Sequence, residues 1–380
     1  MRITYITNSR IPTEKAHGFQ VMKMCEAFSN IGVAVKLLAP KRFNSIKESP
    51  FDYYNIRPIF KIEKIFVIDL IRFEKIFGRF ANLIESLTFA IFAIIALIKQ
   101  EFDIIYSRDQ FVAWFLSFSK KKFVYEIHSF PKNAYLYRRM WRKAYRIVAI
   151  TKGLRDLLVK NGTAAEKIIV ASDAVDLSVF NAVVQTKDEL KIEFGFALSD
   201  FIVGYVGKFK TLEMEKGIKT MIEALPLLDK ETKMAFIGGE ESEIKEYKDL
   251  ANRFNVLPQC IFINYQPYSK VVRYMKAMDA LVIPFPNFPH YAFYTSPLKL
   301  FEYMASGRPI IASDLPALKE ILNDKNALFF RPGDAGDLAK AIKMIKSSQM
   351  FGYHLSQQVL ADVKQYTWHN RVHKILEFIK

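Results

Sequence analysis

Apolar residues recur along the chain in two alternating patterns, short continuous runs and longer stretches with helical spacing. Runs such as Ile3–Thr7, Lys122–Ile127 and Ala280–Ile283 are typical of buried strands. The stretches between such runs place apolar residues three and four positions apart, as amphipathic helices do. Strand and helix alternate in this way over the first half of the chain, and the alternation restarts near residue 202. This order predicts parallel sheets covered by helices on both faces.

The fold class is therefore α/β, with two Rossmann-like, doubly wound domains that we expect to face each other across a cleft. The predicted strands are Ile3–Thr7, Val33–Ala39, Asp103–Ser107, Lys122–Ile127, Arg146–Ile150, Ile168–Ala171, Ile202–Val206, Met234–Ile237, Ile261–Ile263, Ala280–Ile283, Pro309–Ala312 and Ala327–Phe330. Residues 40–80 are expected to be irregular or amphipathic, and residues 177–199 to form a linker and the entry to the second domain. The expected domains are residues 1–182, with a C-terminal helix of about 366–380, and residues 183–365.

The segment Thr295–Asp314 carries the strongest local signals for a site. Ser296 is a good N-cap, Pro297 suits the first helical position, and Gly307 ends the helix. Glu302 lies on this otherwise apolar segment. The N-terminus of a helix can bind a diphosphate, and a carboxylate can accept hydrogen bonds from ribose hydroxyls. A nucleotide-sugar is a ligand that needs both.

The chain of 380 residues has a net charge of +16, and the charge is unevenly distributed. Residues 1–182 contain 29 Lys and Arg against 16 Asp and Glu, whereas the remainder is close to balanced. This asymmetry favours an anionic partner for the first half. Because no zinc spacing or nucleic-acid motif is present, we do not expect nucleic acid. Aromatic residues interleave with the charges at 61–80 and 135–146, which favours an anionic membrane surface; an ordinary solvated basic face is the alternative.

The apolar run Leu87–Ile98 has 12 residues, whereas a spanning helix needs about 20. It is predicted to be a buried helix packed on a sheet, with an interfacial segment as the alternative. The chain opens as a strand with no pattern of a signal peptide. Cys25 and Cys260 lie in apolar segments, which indicates free thiols in a reducing compartment. We therefore expect a cytoplasmic protein at the inner face of the membrane.

Three loops of the second half resemble those of the retaining GT-B glycosyltransferases, family 4 in particular. The first contains Gly207-Lys208 and Lys216-Gly217, the second contains Gly238-Gly239, and the third is the segment Thr295–Asp314. The resemblance covers nearly the whole chain, and its other markers are His17-Gly18, His128, Val175-Asp176, Phe180 and the ending YTWHNRVHKILEFIK.

The resemblance implies that the protein transfers a sugar from a nucleotide-sugar donor with retention at the anomeric carbon. Lys208 and Lys216 match the basic residues that bind the donor diphosphate, and Glu302 matches the second glutamate of the E-x7-E motif, which holds the ribose. His128 matches the histidine near the transferred sugar. Gly18 matches the glycine loop that covers the donor from the first domain.

Further candidates are Gly207, Tyr265, Tyr294, Ser296, Pro297 and Leu298 for the donor, and His17 and Arg108 for the acceptor side. Tyr294 stands where the family has its first glutamate. No Asp-x-Asp sequence occurs, so we expect neither a metal nor a cofactor, with cationic side chains in the place of a metal. The expected acceptor is a glycan or a lipid-linked sugar. The alternatives are a GT-B epimerase and a non-catalytic protein that binds a nucleotide-sugar or a partner enzyme.

Overall fold

The computed structural model describes residues 1–71, 78–211 and 214–380. These residues form two compact units, Met1–Asp173 with Trp368–Lys380, and Ala174–Thr367. We expected the first boundary at residue 182, but the chain enters the second unit earlier. The Val175 N–H donates to the Tyr366 carbonyl at 2.9 Å, and the Phe180 side chain is buried in the second unit's core.

The first unit is built on one parallel sheet. Its described strands are β1 (Arg2–Ile6), β2 (Ala34–Pro40), β3 (Lys61–Ile65), β4 (Ile104–Ser107), β5 (Phe123–Ile127), β6 (Arg146–Ala149) and β7 (Ile168–Val170). They lie in the order β3-β2-β1-β4-β5-β6-β7. Tyr5 of β1 lies in register with Leu37 of β2 and Tyr106 of β4. The strand order reverses between β1 and β4, as in doubly wound sheets.

Strand β3 lies within residues 40–80, which we predicted to be irregular or amphipathic without a strand. It pairs with β2 at the edge of the sheet, and most of its residues are exposed or half-buried. An edge strand buries little surface and so leaves a weak hydrophobic signal. Residues 72–77, part of the basic and aromatic segment 61–80, lie outside the described residues.

The described helices of the first unit flank this sheet. They are Ala16–Asn30, Pro50–Tyr53, Arg79–Ala96, Gln110–Leu116, Arg138–Lys143, Lys152–Lys160 and Trp368–Ile379.

The helix Arg79–Ala96 corrects the prediction for the run Leu87–Ile98. One face is buried as expected and includes Phe89 and Ala93, but Ile91, Ile95 and Ile98 are 45%, 50% and 71% exposed. The run is therefore a helix buried along one side only. Within the described parts of the chain, no helix has both the length and the apolar character that crossing a bilayer requires.

The second unit contains another parallel sheet and a short hairpin. Its described strands are β8 (Phe201–Val206), β9 (Lys210–Thr211), β10 (Met214–Glu215), β11 (Thr232–Gly239), β12 (Cys260–Asn264), β13 (Ala280–Ile283), β14 (Ile310–Ser313) and β15 (Leu328–Phe330). The main sheet has the order β12-β11-β8-β13-β14-β15, and β9 pairs with β10. The strand order reverses between β8 and β13. Ile202 and Val206 of β8 pack into one core cluster and Val203 and Tyr205 into another, so helices cover both faces.

The described helices of the second unit are Leu177–Asn181, Lys187–Glu193, Ile218–Ala224, Glu241–Arg253, Tyr268–Ala277, Pro289–Phe293, Leu298–Ser306, Pro316–Lys319, Ala335–Ser347 and Gln349–Asp362. The first two lie in residues 177–199, for which we predicted a linker and the entry to the second domain; the segment is partly helical and already belongs to the second unit. The ammonium of buried Lys191 lies 2.6 Å from the Asp279 carboxylate, which fixes this segment to the second unit.

The last helix, Trp368–Ile379, packs on the helix Ala16–Asn30 of the first unit. Its buried Arg371 donates to the Ser172 carbonyl at 2.7 Å and lies 3.1 Å from the Glu126 carboxylate. Burial alone would raise the pKa of the Glu126 carboxyl, but Arg371 and His128 hold that pKa well below its usual range. The C-terminal helix is thus tied to the first unit by a buried ion pair.

Replacing Arg371 with Met is expected to destabilise the protein by about 3 kcal/mol, because Glu126 then keeps a buried charge without its cation. The change is measured by urea unfolding. Lys374→Met, on the exposed side of the same helix, is the matched control and should change the free energy of unfolding by less than about 0.5 kcal/mol. Equal stability of the two variants would contradict the structural role assigned to the pair.

Candidate functional site

The candidate site of the second unit lies where β8 and β13 end, at the reversal of strand order. Gly217 shows how closely the backbones approach here. Its φ is +92°, and a Cβ atom on it would lie 1.8 Å from the Pro284 carbonyl oxygen. Only glycine fits at this position. In doubly wound sheets, ligands bind beside the carboxyl ends of the strands at such a reversal.

A second close approach lies at the ends of β8 and β11. Gly207 and Gly238 have φ values of +123° and +103°, and a Cβ atom on Gly238 would lie 3.2 Å from the Gly207 carbonyl. A Cβ atom on Gly239 would lie 2.3 Å from the Phe209 ring. The glycine positions predicted from the sequence thus form one densely packed backbone surface at this edge of the sheet.

Two of the predicted cationic residues lie close together on this surface. The Lys208 side chain is half-exposed, and its ammonium lies 3.6 Å from the Glu240 carboxylate. Lys216 is more buried, and burial together with the charge of Lys208 lowers the pKa of its ammonium to about 8. Two like charges at short range raise each other's energy, and a bound anion would relieve both.

The helix Leu298–Ser306 begins one residue later than predicted. Pro297 therefore occupies the N-cap position, where its side chain makes no cap hydrogen bond, so the expectation of Ser296 as the N-cap residue was wrong. The helix ends at Gly307 with φ +69°, as the sequence predicted. Leu298, the first helical residue, is half-buried.

Glu302 is half-buried within the second unit. Burial raises the pKa of its carboxyl to about 7, although a hydrogen bond from the Tyr268 hydroxyl and the charge of Lys299 oppose the shift. The sequence prediction singled out Glu302 but not Tyr268, which lies in the first turn of the helix Tyr268–Ala277. Nothing in the local sequence links Tyr268 to Glu302; their contact arises from the packing of two helices distant in sequence.

Lys299 is the main residue that sequence reasoning missed. Its ammonium nitrogen is buried without a hydrogen-bond partner among the described residues, and lies 3.7 Å from the centre of the Tyr205 ring. A Cβ atom on Gly207 would lie 3.1 Å from this nitrogen. The sequence could have indicated Lys299 as a site residue, because it precedes Glu302 by three positions and therefore lies on the same side of the helix.

The two tyrosines predicted for the donor differ in burial. Tyr265 follows β12 and is 61% exposed. Tyr294 is half-buried directly after the helix Pro289–Phe293, with its ring 6.3 Å from that of Phe293. His290, in the same short helix, has its pKa lowered by burial and by the charge of Lys216.

His128 of the first unit follows β5, as predicted, and belongs to a buried polar cluster. Its Nε2 atom lies 2.6 Å from the Glu126 carboxylate. The Gln20 side-chain amide donates to the same Glu126 carboxylate at 2.7 Å and to the Asp173 carboxylate at 3.3 Å. Burial and the charge of Arg108 lower the pKa of His128, against the opposing effect of Glu126.

The other predicted residues of the first unit surround this cluster. Arg108, after β4, donates to the Gln20 side chain. Burial and Arg108 lower the pKa of His17 to about 3, so its imidazole is neutral at physiological pH. Gly18 is buried in the first turn of its helix, and a Cβ atom there would lie 2.3 Å from the Tyr54 hydroxyl. The close packing against Tyr54 is enough to explain why residue 18 is a glycine. A contact between Gly18 and a donor stays a prediction.

Both units match models of glycosyltransferase families. Residues 18–179 match the family described as Glycosyltransferase Family 4, and residues 200–347 match Glycosyl transferases group 1. With its two doubly wound sheets, the chain belongs to the glycosyltransferases of the GT-B fold.

Solved structures support the same fold over nearly the whole chain. Anabaena Alr3699/HepE in complex with UDP-glucose is similar with a TM-score of 0.73 and 17% identity, over 99% of this chain and 98% of that one. Sucrose-phosphate synthase from Thermosynechococcus elongatus has a TM-score of 0.77 and 15% identity, over 99% and 97%.

Curated relatives match a smaller part. The putative teichuronic acid biosynthesis glycosyltransferase TuaC of Bacillus subtilis (strain 168) is 25% identical over 177 residues, 47% of this chain and 41% of that protein. TuaH of the same organism is 24% identical over 48% of this chain and 44% of its own length. The match thus spans less than half the length of these curated relatives.

The close contact at Gly217 gives a prediction about stability. Gly217→Ala is expected to lower the free energy of unfolding by about 3 kcal/mol or more, through a clash with Pro284 added to an unfavourable φ. Gly333 is the matched control, because its φ is +79° but no atom of the described residues lies within 4 Å of where a Cβ atom would stand. Gly333→Ala should cost about 1 kcal/mol. Thermal unfolding measures both, and similar losses would show that the close approach is not real.

Proposed function

We propose that this protein is a retaining glycosyltransferase that moves a sugar from a nucleoside-diphosphate donor to a glycan or lipid-linked acceptor without a metal ion. The observation that carries the proposal is the grouping of Lys208 and Lys216 with glycine-rich backbone at the reversal of strand order. A nucleoside diphosphate fits this surface in charge and in the close approach that glycine permits. The structures of Alr3699/HepE with UDP and with UDP-glucose support this class of donor.

The chemistry follows from where charge develops during transfer. When the bond between the sugar and the diphosphate breaks, negative charge concentrates on the phosphate oxygens. Ammonium groups already in position stabilise that charge without rearranging, which is the role proposed for Lys208 and Lys216. Cations fixed by the protein would take the place of a metal ion. Glu302 is proposed to accept hydrogen bonds from the ribose hydroxyls, which would favour its ionised form.

Lys216→Met is expected to lower kcat/KM for the donor by about 10- to 100-fold, the loss of one charge-assisted hydrogen bond. The measurement is release of the nucleoside diphosphate from UDP-, GDP-, ADP- and dTDP-sugars with acceptor extracts. Lys343→Met, which removes an exposed lysine from the helix Ala335–Ser347, is the control. Unchanged turnover in Lys216→Met would refute the donor-site assignment.

The proposed retention of configuration at the anomeric carbon is tested on the product of the same reaction. The product's anomeric proton coupling, measured by NMR before mutarotation, should show the configuration of the donor. His128→Ala should lower turnover if the histidine contacts the sugar, as the family resemblance implies.

One observation favours a second candidate function, a non-catalytic GT-B protein that binds a nucleotide-sugar. Tyr294 replaces the carboxylate that the family motif places eight residues before Glu302. A protein of this kind would bind the nucleotide with the same lysines but release no product with any donor and acceptor.

We further propose that the first unit binds an anionic membrane surface, where a lipid-linked acceptor would be found. The helix Arg79–Ala96 and the turn after it expose an apolar stripe, of which Phe80, Ile91, Ile95 and Ile98 are between 45% and 72% exposed. A stripe of this kind on an interfacial helix can insert into the boundary between headgroups and acyl chains.

Basic residues border this stripe. The Lys121 ammonium donates to the Leu97 carbonyl at 3.4 Å, which places the run of lysines 120–122 at the end of the helix. The helix Gln110–Leu116 connects this region to the helix Arg138–Lys143. There, Arg139 lies 4.5 Å from the ring of exposed Phe118. Apolar insertion and electrostatic attraction can therefore act on the same membrane.

Exchanging Ile95 and Ile98 together for Gln is expected to weaken binding to vesicles of anionic phospholipid at least about tenfold, since both side chains lose apolar burial. Vesicle co-sedimentation measures the effect. Val184→Gln, at a position 85% exposed in the second unit, is the control. The proposal fails if the unaltered protein shows no salt-sensitive binding, or if the double variant binds as well as the control.

A further inference from the structure

Lys299 is a buried cation that the roles assigned above do not use. It lies in the first turn of the helix Leu298–Ser306, and its ammonium lies 3.7 Å from the centre of the Tyr205 ring and 5.8 Å from that of Phe285. Within the described residues, no hydrogen-bond acceptor reaches this nitrogen. Removing an ammonium from water without an acceptor is unfavourable, and aromatic faces compensate for only part of the loss.

The surroundings of Lys299 indicate what would compensate for the rest. Its nitrogen is directed at the Gly207 turn, because a Cβ atom at Gly207 would lie only 3.1 Å away. That turn follows β8 at the reversal of strand order and leads into Lys208. Lys216 is near enough for its charge to act on Lys299. The unpartnered nitrogen thus shares the surface that holds the other two cations.

We propose that Lys299 binds the donor diphosphate directly, as the third cationic residue of this site, an assignment that rests on the proposed function. A diphosphate carries several negative charges, so it can interact with three ammonium groups that would otherwise repel one another. Lys299 would approach it from the side of the helix Leu298–Ser306, whereas Lys208 and Lys216 lie on the loop between β8 and the helix Ile218–Ala224.

Proton uptake should accompany this contact. Three titratable groups face Lys299. They are Lys216 from the loop, the Tyr205 hydroxyl from strand β8 and Glu302 from its own helix, whereas Phe285 has no titratable group. Burial and Lys216 hold the pKa of Lys299 well below its usual range, and Glu302 only partly offsets them. A bound diphosphate favours the charged form, so the pKa of Lys299 rises on binding, with proton uptake in proportion to the uncharged fraction of Lys299 in the free protein.

The test compares Lys299→Met with the unaltered protein, using UDP as the probe. Calorimetric titration in buffers of different ionisation enthalpy gives both the affinity and the number of protons taken up. We expect the variant to bind UDP at least about tenfold more weakly and to take up fewer protons than the unaltered protein. In the variant, Lys216, with its pKa of about 8, should still take up part of the protons on UDP binding. Lys343→Met should match the unaltered protein in both quantities.

Thermal unfolding without ligand separates this role from a structural one. Met keeps most of the volume of Lys299 but removes the unpaired charge, so the variant should be as stable as the unaltered protein or more stable. A structural cation over the Tyr205 ring would instead make Lys299→Met less stable with UDP binding unchanged. Equal affinity and equal proton uptake in the two proteins would overturn the inference alone. If the unaltered protein binds none of UDP, GDP, ADP and dTDP, the proposed function fails and the inference fails with it.

Discussion

Repulsion between ammonium groups held close together, and partly removed from water, is the constraint on which the second unit's site depends. Lys216 lies near enough to both Lys208 and Lys299 for their charges to interact at the reversal of strand order, where backbone contacts as close as that of Gly217 with Pro284 leave little freedom to separate them. Burial, and after it the charge of a neighbouring lysine, lowers the pKa values of Lys216 and Lys299. A site with this stored repulsion is suited to a ligand of high negative charge density.

Most of the fold was predictable from the sequence, because buried parallel strands and amphipathic helices leave strong periodic signals. The strand Ala280–Ile283 has the predicted bounds, and most others differ by one or two residues. The GT-B fold and the glycosyltransferase class, expected from the loops around Lys208 and Lys216, are confirmed by the sheet topology and the family matches. The roles of the individual site residues stay predictions.

The features that sequence reasoning missed arise from contacts between distant segments or from partial burial. Strand Lys61–Ile65 lies at a sheet edge, and the helix Arg79–Ala96 is apolar on both its buried and its exposed sides. Arg371 meets Glu126 only after the C-terminal helix returns to the first unit. In the sequence, Lys299 does not differ from an ordinary lysine at the start of a helix. Its position over the Tyr205 ring, which shows that its charge is buried, is evident only in the structure. Periodicity reports which face of an element is apolar, but not which polar group lies opposite.

The central claim is that fixed cations of the second unit bind a nucleoside diphosphate without the help of a metal ion. Titration of the full chain with UDP, once in excess EDTA and once in excess Mg²⁺, tests it most directly. The account predicts saturable binding in EDTA, with a Kd within about twofold of that in Mg²⁺ and increasing with ionic strength. Binding that appears only with Mg²⁺ would contradict the account.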